Sequence, residues 1–77
     1  PMTTLFINAG RKDKIRAGDI LGALTANTDL PGKRIGKIDI FDKIAYVAVE
    51  RQVAKQALSI LTEGKIKGRS FRARALR

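Results

Sequence analysis

The sequence predicts an α+β fold of the ferredoxin-like type, with its elements in the order strand, helix, strand, strand, helix, strand (βαββαβ). Apolar side chains alternate with period two in the stretches predicted as strands, and recur at helical spacing in the two between them. Right-handed crossovers place both helices on one face of a four-stranded antiparallel sheet. The other face of that sheet would then be left bare.

The strands are predicted where aliphatic side chains alternate with polar or aromatic ones. In the third strand, Ala45, Val47 and Val49 form an aliphatic face, and Tyr46 lies on the opposite face. Asp42-Lys43 is short enough to join this strand to the preceding one as an antiparallel hairpin. In that preceding strand Gly36, Ile38 and Ile40 are predicted to point inward. The four predicted strands are residues 3–9, 35–41, 44–49 and 70–76.

The two helices are predicted at residues 17–27 and 51–63. Ile20, Leu21 and Leu24 share one face of the first helix, as expected for packing against a sheet. Gly22 within it costs about 1 kcal/mol relative to alanine, so we expect close packing against the sheet at that position. The second helix has the clearer periodicity, with apolar residues from Val53 onward at i, i+1, i+4, i+5 and i+8.

Composition excludes several classes of protein. At 77 residues the chain is expected to be a single domain, residues 1–77, and its hydrophobic content of 44% suffices for a core. It has neither Cys nor His, which removes disulfides, thiolate zinc sites and the commonest general base, so we expect no metal, no cofactor and no catalysis. No membrane span or signal peptide is predicted, and we interpret Pro1 as a residue left by cloning. We expect the domain to be cytoplasmic and monomeric.

The charge indicates the class of partner. Lys and Arg number 16 and Asp and Glu number 7, which gives a net charge of +9. A small domain with this balance either has a strongly solvated surface or binds a polyanion, most often nucleic acid. A membrane surface is disfavoured, because neither helix combines a basic face with bulky aromatics.

The bare sheet face carries the first set of candidate binding residues. Aromatic rings among cationic side chains are typical of a platform for single-stranded RNA, because rings stack on bases and cations hold phosphates. Asp39 and Ile44 are also predicted to point outward, and Asp39 is expected to pair with a neighbouring cation. The candidates on this face are Phe6, Asn8, Lys37, Phe41, Tyr46, Arg72 and Arg74.

Basic loops form the second set of candidates, and we expect them to contact the RNA backbone. The sequence leaves open whether the sheet face, the loops or both bind RNA. The loop candidates are Arg11, Lys12, Lys14, Arg16, Lys33, Arg34, Lys65, Lys67 and Arg69.

Two motifs resemble those of the RNA recognition motif. The octamer of that family corresponds to residues 42–49, where Ala45, Tyr46 and Val47 match and the usual glycine and first ring are replaced. Its hexamer corresponds to residues 5–10, with Phe6 at the stacking position. This resemblance implies the same fold and an RNA-binding sheet face.

A longer resemblance covers nearly the whole chain. Residues 10–24, 35–38 and 64–69 are similar to the C-terminal RNA-binding domain of bacterial DbpA-type DEAD-box helicases. The resemblance implies a domain that docks an ATP-dependent helicase on a hairpin of 23S ribosomal RNA during ribosome assembly. ATP and Mg²⁺ would belong to the helicase core, because this chain has no Gly-x-x-x-x-Gly-Lys-Ser/Thr loop and no Asp-Glu-Ala-Asp box. The alternative is a protein–protein interaction module on a degenerate version of the same fold.

Overall fold

A computed structural model of the protein describes residues 1–76. Its elements are β1 (Met2–Ile7), α1 (Ala17–Thr25), β2 (Ile35–Ile40), β3 (Ala45–Glu50), α2 (Ala54–Glu63) and β4 (Ala73–Ala75). The strands form one antiparallel sheet in the order β2-β3-β1-β4, and two helices connect them. Short 3-10 turns precede α1, β2 and α2. This architecture confirms the predicted α+β, ferredoxin-like fold.

The core lies between the inner sheet face and both helices. Leu5 and Val47 are completely buried on the central strands, and they belong to one cluster with Leu24 of α1 and Leu61 of α2. Full burial of such a side chain contributes about 1.5–3 kcal/mol. Because both helices share this cluster, they cover the same face of the sheet, and the opposite face lies outside the core.

The register of the sheet determines which side chains reach that opposite face. Phe6 lies directly across from Tyr46 on one side and from Arg74 on the other. Directly paired residues project to the same face of a sheet, and a one-residue shift of a strand would turn the outward side chains of that strand toward the core. The predicted outward positions of these three residues are therefore confirmed.

A β-bulge in β2 corrects the predicted inward position of Gly36. Ile35 pairs with Val49 and Ile38 with Val47, so one extra residue lies between these pairs. Ile35 packs against the core in place of Gly36. A Cβ on Gly36 would lie 2.7 Å from Met2 Cε and 3.5 Å from Ala48 Cβ, on the outer face. Gly36 thus lets Met2 lie across this end of the sheet.

Three other predicted features differ in extent or packing. The last strand was predicted from residue 70, but it pairs with β1 only over Ala73–Ala75. The second helix starts at Ala54, because residues 51–53 form a 3-10 turn. The prediction that Gly22 packs closely against the sheet is wrong, because a Cβ at this position would have no atom within 4 Å. Over the residues described, neither helix has the length and apolar character to cross a membrane.

Candidate nucleic-acid interface

Three rings form a continuous row on the uncovered sheet face. The centroids of Phe6 and Tyr46 lie 6.0 Å apart with a 59° tilt, because the two residues are direct cross-strand partners. Phe41 follows β2 and meets Tyr46 edge-on, at 5.9 Å and 77°. Its side chain remains 49% exposed, so it does not enter the core. We call Phe6, Tyr46 and Phe41 the aromatic row.

Cations and one amide border the aromatic row. The Arg74 guanidinium lies 5.0 Å from the centroid of the Phe6 ring, within the range of a cation–π interaction. Lys37 Nζ lies 3.6 Å from Asp39 Oδ1, as expected for an acid that pairs with a neighbouring cation. Asn8 and Arg72 are exposed at the β4 end of this face. The predicted sheet-face candidates therefore lie on one connected surface.

A cavity at the β4 edge adds Phe71, which is not among the candidates predicted from the sequence. Phe71 packs partly against the core. It also lines an open cavity of about 580 Å³ with Phe6, Asn8 and Arg72. The Arg69 guanidinium lies 5.0 Å from the Phe71 ring centroid. The signal that could have revealed Phe71 is its place in an arginine-rich segment, with arginines at positions 69, 72 and 74.

The loop after β1 is fixed to the β2–β3 hairpin by backbone contacts. The Arg11 N–H donates to the Phe41 carbonyl and the Lys12 N–H to the Asp42 carbonyl, both at 2.9 Å. A Cβ on Gly10 would lie 2.3 Å from the Phe41 oxygen, so only glycine permits this approach. The loop that carries several basic candidates therefore directly adjoins the end of the aromatic row.

The segment after α2 is joined to the same loop. Lys67 Nζ donates to the Lys14 carbonyl at 2.9 Å, and Arg69 Nη1 donates to the Asp13 carbonyl at 3.2 Å. Residues 66–69 form a tight turn in which Lys67 and Gly68 both have positive φ, at 54° and 79°. The turn is anchored by Ile66, which is buried.

The structure separates the basic candidates into two groups that the sequence does not distinguish. Five of them pair with carboxylates within 4.0 Å: Arg11, Arg34, Lys37, Lys67 and Arg69. The others have no carboxylate partner among residues 1–76, so their charge is available to a ligand. This second group is Lys12, Lys14, Arg16, Lys33, Lys65, Arg72 and Arg74.

Not all of the loop candidates lie together. Lys33 and Arg34 precede Ile35, which pairs with Val49 at the far end of β3 from the hairpin. Arg34 is engaged there by Glu50 at 2.6 Å and by Gln52 at 3.4 Å. These two residues thus do not join the basic loop of residues 11–16 in one surface.

Comparison with known proteins gives a consistent match over almost the full chain. The family model described as the DbpA RNA binding domain matches residues 4–75. The chain is 49% identical over 76 residues to the ATP-dependent RNA helicase DbpA of Escherichia coli strain K12, which covers 99% of this chain and 17% of that protein. It is 29% identical over 68 residues to the ATP-dependent RNA helicase DbpA of Bacillus subtilis strain 168, covering 88% and 14%.

The match concerns a binding domain and a small part of each relative. The chain spans less than one fifth of the length of these two helicases. The prediction that this segment is a binding module and not an enzyme agrees with the function named by the family model. The chain belongs to the DbpA RNA binding domain family.

Proposed function

We propose that this chain binds RNA and tethers an ATP-dependent RNA helicase to its substrate. The observation that carries the proposal is the aromatic row, which lies on the face without helices and is bordered by Arg74. The chain belongs to a family named for RNA binding, and the relatives are named as helicases. The helicase core, with its ATP and Mg²⁺, would lie outside this chain.

The chemistry of the aromatic row suits unpaired bases. Stacking of a base on an aromatic side chain contributes about 1–3 kcal/mol. The rings of Phe6 and Tyr46 are tilted by 59°, so they cannot stack on two coplanar bases at once. The row would therefore bind bases that are splayed apart, as in a hairpin loop.

The cations without carboxylate partners suit the backbone of the same RNA. Lys12, Lys14 and Arg16 lie on a loop whose backbone is bonded to the hairpin that ends the aromatic row. A base-paired stem next to an unpaired loop would bring phosphates to these residues and bases to the rings. This supports a structured hairpin as ligand, and we propose the 23S ribosomal RNA hairpin during ribosome assembly, in the bacterial cytoplasm, bound by a monomer.

The likeness to the RNA recognition motif supports the same sheet face. Phe6 and Tyr46 hold the positions of the stacking rings in the hexamer and octamer, and they are direct neighbours in the sheet. The missing first ring, replaced by Ile44, leaves this face with a different aromatic partner in Phe41.

A protein-binding module is the second candidate function. It would use the same face for a peptide, with the rings as an apolar surface. The net charge of +9 favours RNA, because a peptide site needs no such excess of cations.

The test is a titration of the chain with the 23S hairpin RNA and with an RNA of scrambled sequence, at two salt concentrations. We expect tighter binding of the hairpin and an affinity for both RNAs that falls as salt rises. The control is Lys55→Ala, at an exposed position of α2. It should change neither the preference for the hairpin nor the dependence of affinity on salt. Equal binding of the two RNAs would overturn the proposed specificity, and no binding would overturn RNA binding itself.

A further inference from the structure

Asp13 is an acid within the most basic stretch of the chain. Its carboxylate is 27% exposed, and both oxygens are engaged. Oδ2 accepts the Gly10 N–H at 3.0 Å, and Oδ1 lies 3.3 Å from Arg69 Nη2. The side chain therefore closes its own loop and also binds the segment after α2.

Asp13 lies in the first of three loops that are joined to one another at one end of the sheet. We call residues 10–16, 41–44 and 65–69 the three-loop clamp. Backbone bonds from Arg11 and Lys12 fix the first loop to the second. The first and third loops are joined by side chains, through the Asp13–Arg69 pair and the bond from Lys67 to the Lys14 carbonyl.

Electrostatics alone would make Asp13 unfavourable for RNA binding. A carboxylate among cations lowers the positive potential that attracts phosphates, so its removal should strengthen binding if only summed charge mattered. The contacts that order the three-loop clamp act in the opposite direction, toward higher RNA affinity. Loops that are already ordered lose less conformational entropy when they bind, and this raises affinity.

We propose that Asp13 is a positioning residue that raises RNA affinity, because it holds the loop with Lys12, Lys14 and Arg16 in its binding arrangement. This inference rests on the proposed RNA-binding function. Arg69 is the partner through which Asp13 acts, and its guanidinium is also held against the Phe71 ring at 5.0 Å.

The experiment measures association and dissociation rates of the hairpin RNA for matched acid substitutions. Asp13→Ala and Asp29→Ala change the net charge equally, and Asp29 is exposed, with no ion pair among residues 1–76. Asp29→Ala should leave the dissociation rate unchanged. The RNA should dissociate about tenfold faster from Asp13→Ala, because affinity differences among variants of one interface appear mainly in that rate.

Asp13→Asn is a second variant that keeps the test valid if Asp13→Ala does not fold. The amide can still accept the Gly10 N–H but carries no charge toward Arg69, so its dissociation rate should lie between those of the unmodified chain and Asp13→Ala. A partly unfolded sample would lower the amplitude of binding and leave the dissociation rate unchanged. This distinguishes positioning from a loss of stability.

Two outcomes would overturn the proposal. If the unmodified chain binds the hairpin and both Asp13 variants dissociate no faster than it does, Asp13 has no positioning role and RNA binding stands. If the unmodified chain does not bind the hairpin at all, both proposals fail.

Discussion

The guanidinium of Arg74 lies 5.0 Å above the ring of Phe6, on the sheet face that the helices leave uncovered. The two residues are direct partners in the pairing of β1 with β4, so the sheet register brings them together. A base that binds here meets a planar cation as well as a ring, and guanidinium planes also stack on bases. The Phe6 position therefore presents a ring and a planar cation side by side.

Arg74→Lys tests whether the planar group contributes to RNA binding. Lysine keeps the positive charge but lacks the planar group, so it cannot replace stacking. We expect RNA affinity to fall by about 1 kcal/mol, with an unchanged dependence on salt. Arg74→Ala should lower affinity and also reduce the salt slope. The measurement is a titration series over salt for both variants, and an Arg74→Lys variant with full affinity would show that only the charge matters.

Substitutions of Tyr46 separate ring stacking from hydrogen bonding. Tyr46→Ala should cost about 1–3 kcal/mol of RNA affinity if one base stacks there. Tyr46→Phe keeps the ring and should be nearly silent. Affinities from RNA titration check both, and a large loss in Tyr46→Phe would assign a specific contact to the hydroxyl.

The loop cations should act on the RNA backbone. Lys12→Ala and Arg16→Ala should weaken binding to matched and scrambled RNA about equally, and each should reduce the salt slope by roughly 0.7–0.9. Arg11→Ala should reduce it less, because the Arg11 guanidinium already lies 3.3 Å from Asp42. Discrimination that collapses while the slope stays constant would mean that these residues contact bases.

Gly22 offers a stability test that is independent of RNA. A Cβ at this position would have no atom within 4 Å, and the residue lies within α1. Gly22→Ala should raise the free energy of unfolding by about 1 kcal/mol, because alanine has the higher helix propensity. Thermal or denaturant melts check this, and a destabilised variant would contradict the open environment.

The fold was predictable because its determinants are local and periodic. Alternation in β1 and β3 fixed which residues face the core, and the tight Asp42-Lys43 connection fixed one strand pairing. The bulge at Gly36 was not predictable, because an extra residue leaves the alternation readable in two registers. The open environment of Gly22 was not predictable either, because the sequence does not show how near another element lies to this position.

The candidate site was predictable in composition but not in its internal contacts. The placement of Phe6 and Tyr46 on one face follows from their strand positions, so it was predictable from the sequence. Phe41 follows β2, so strand alternation alone does not fix where its ring lies. Ion pairs such as Asp13 with Arg69 join residues far apart in the chain and depend on loop conformation. From the sequence, Arg69 could only be grouped with the other loop cations, although the structure shows it paired with Asp13.

The most direct test of this account compares the Phe6→Ala, Tyr46→Ala double variant with Val47→Ala. Val47 is completely buried, so its truncation should lower stability by roughly 1–3 kcal/mol and leave the RNA affinity of the folded domain unchanged. The double variant should stay folded and lose affinity for the hairpin RNA by at least about tenfold. A folded double variant that binds the hairpin with unchanged affinity would show that this sheet face is not the binding surface, and would contradict the account.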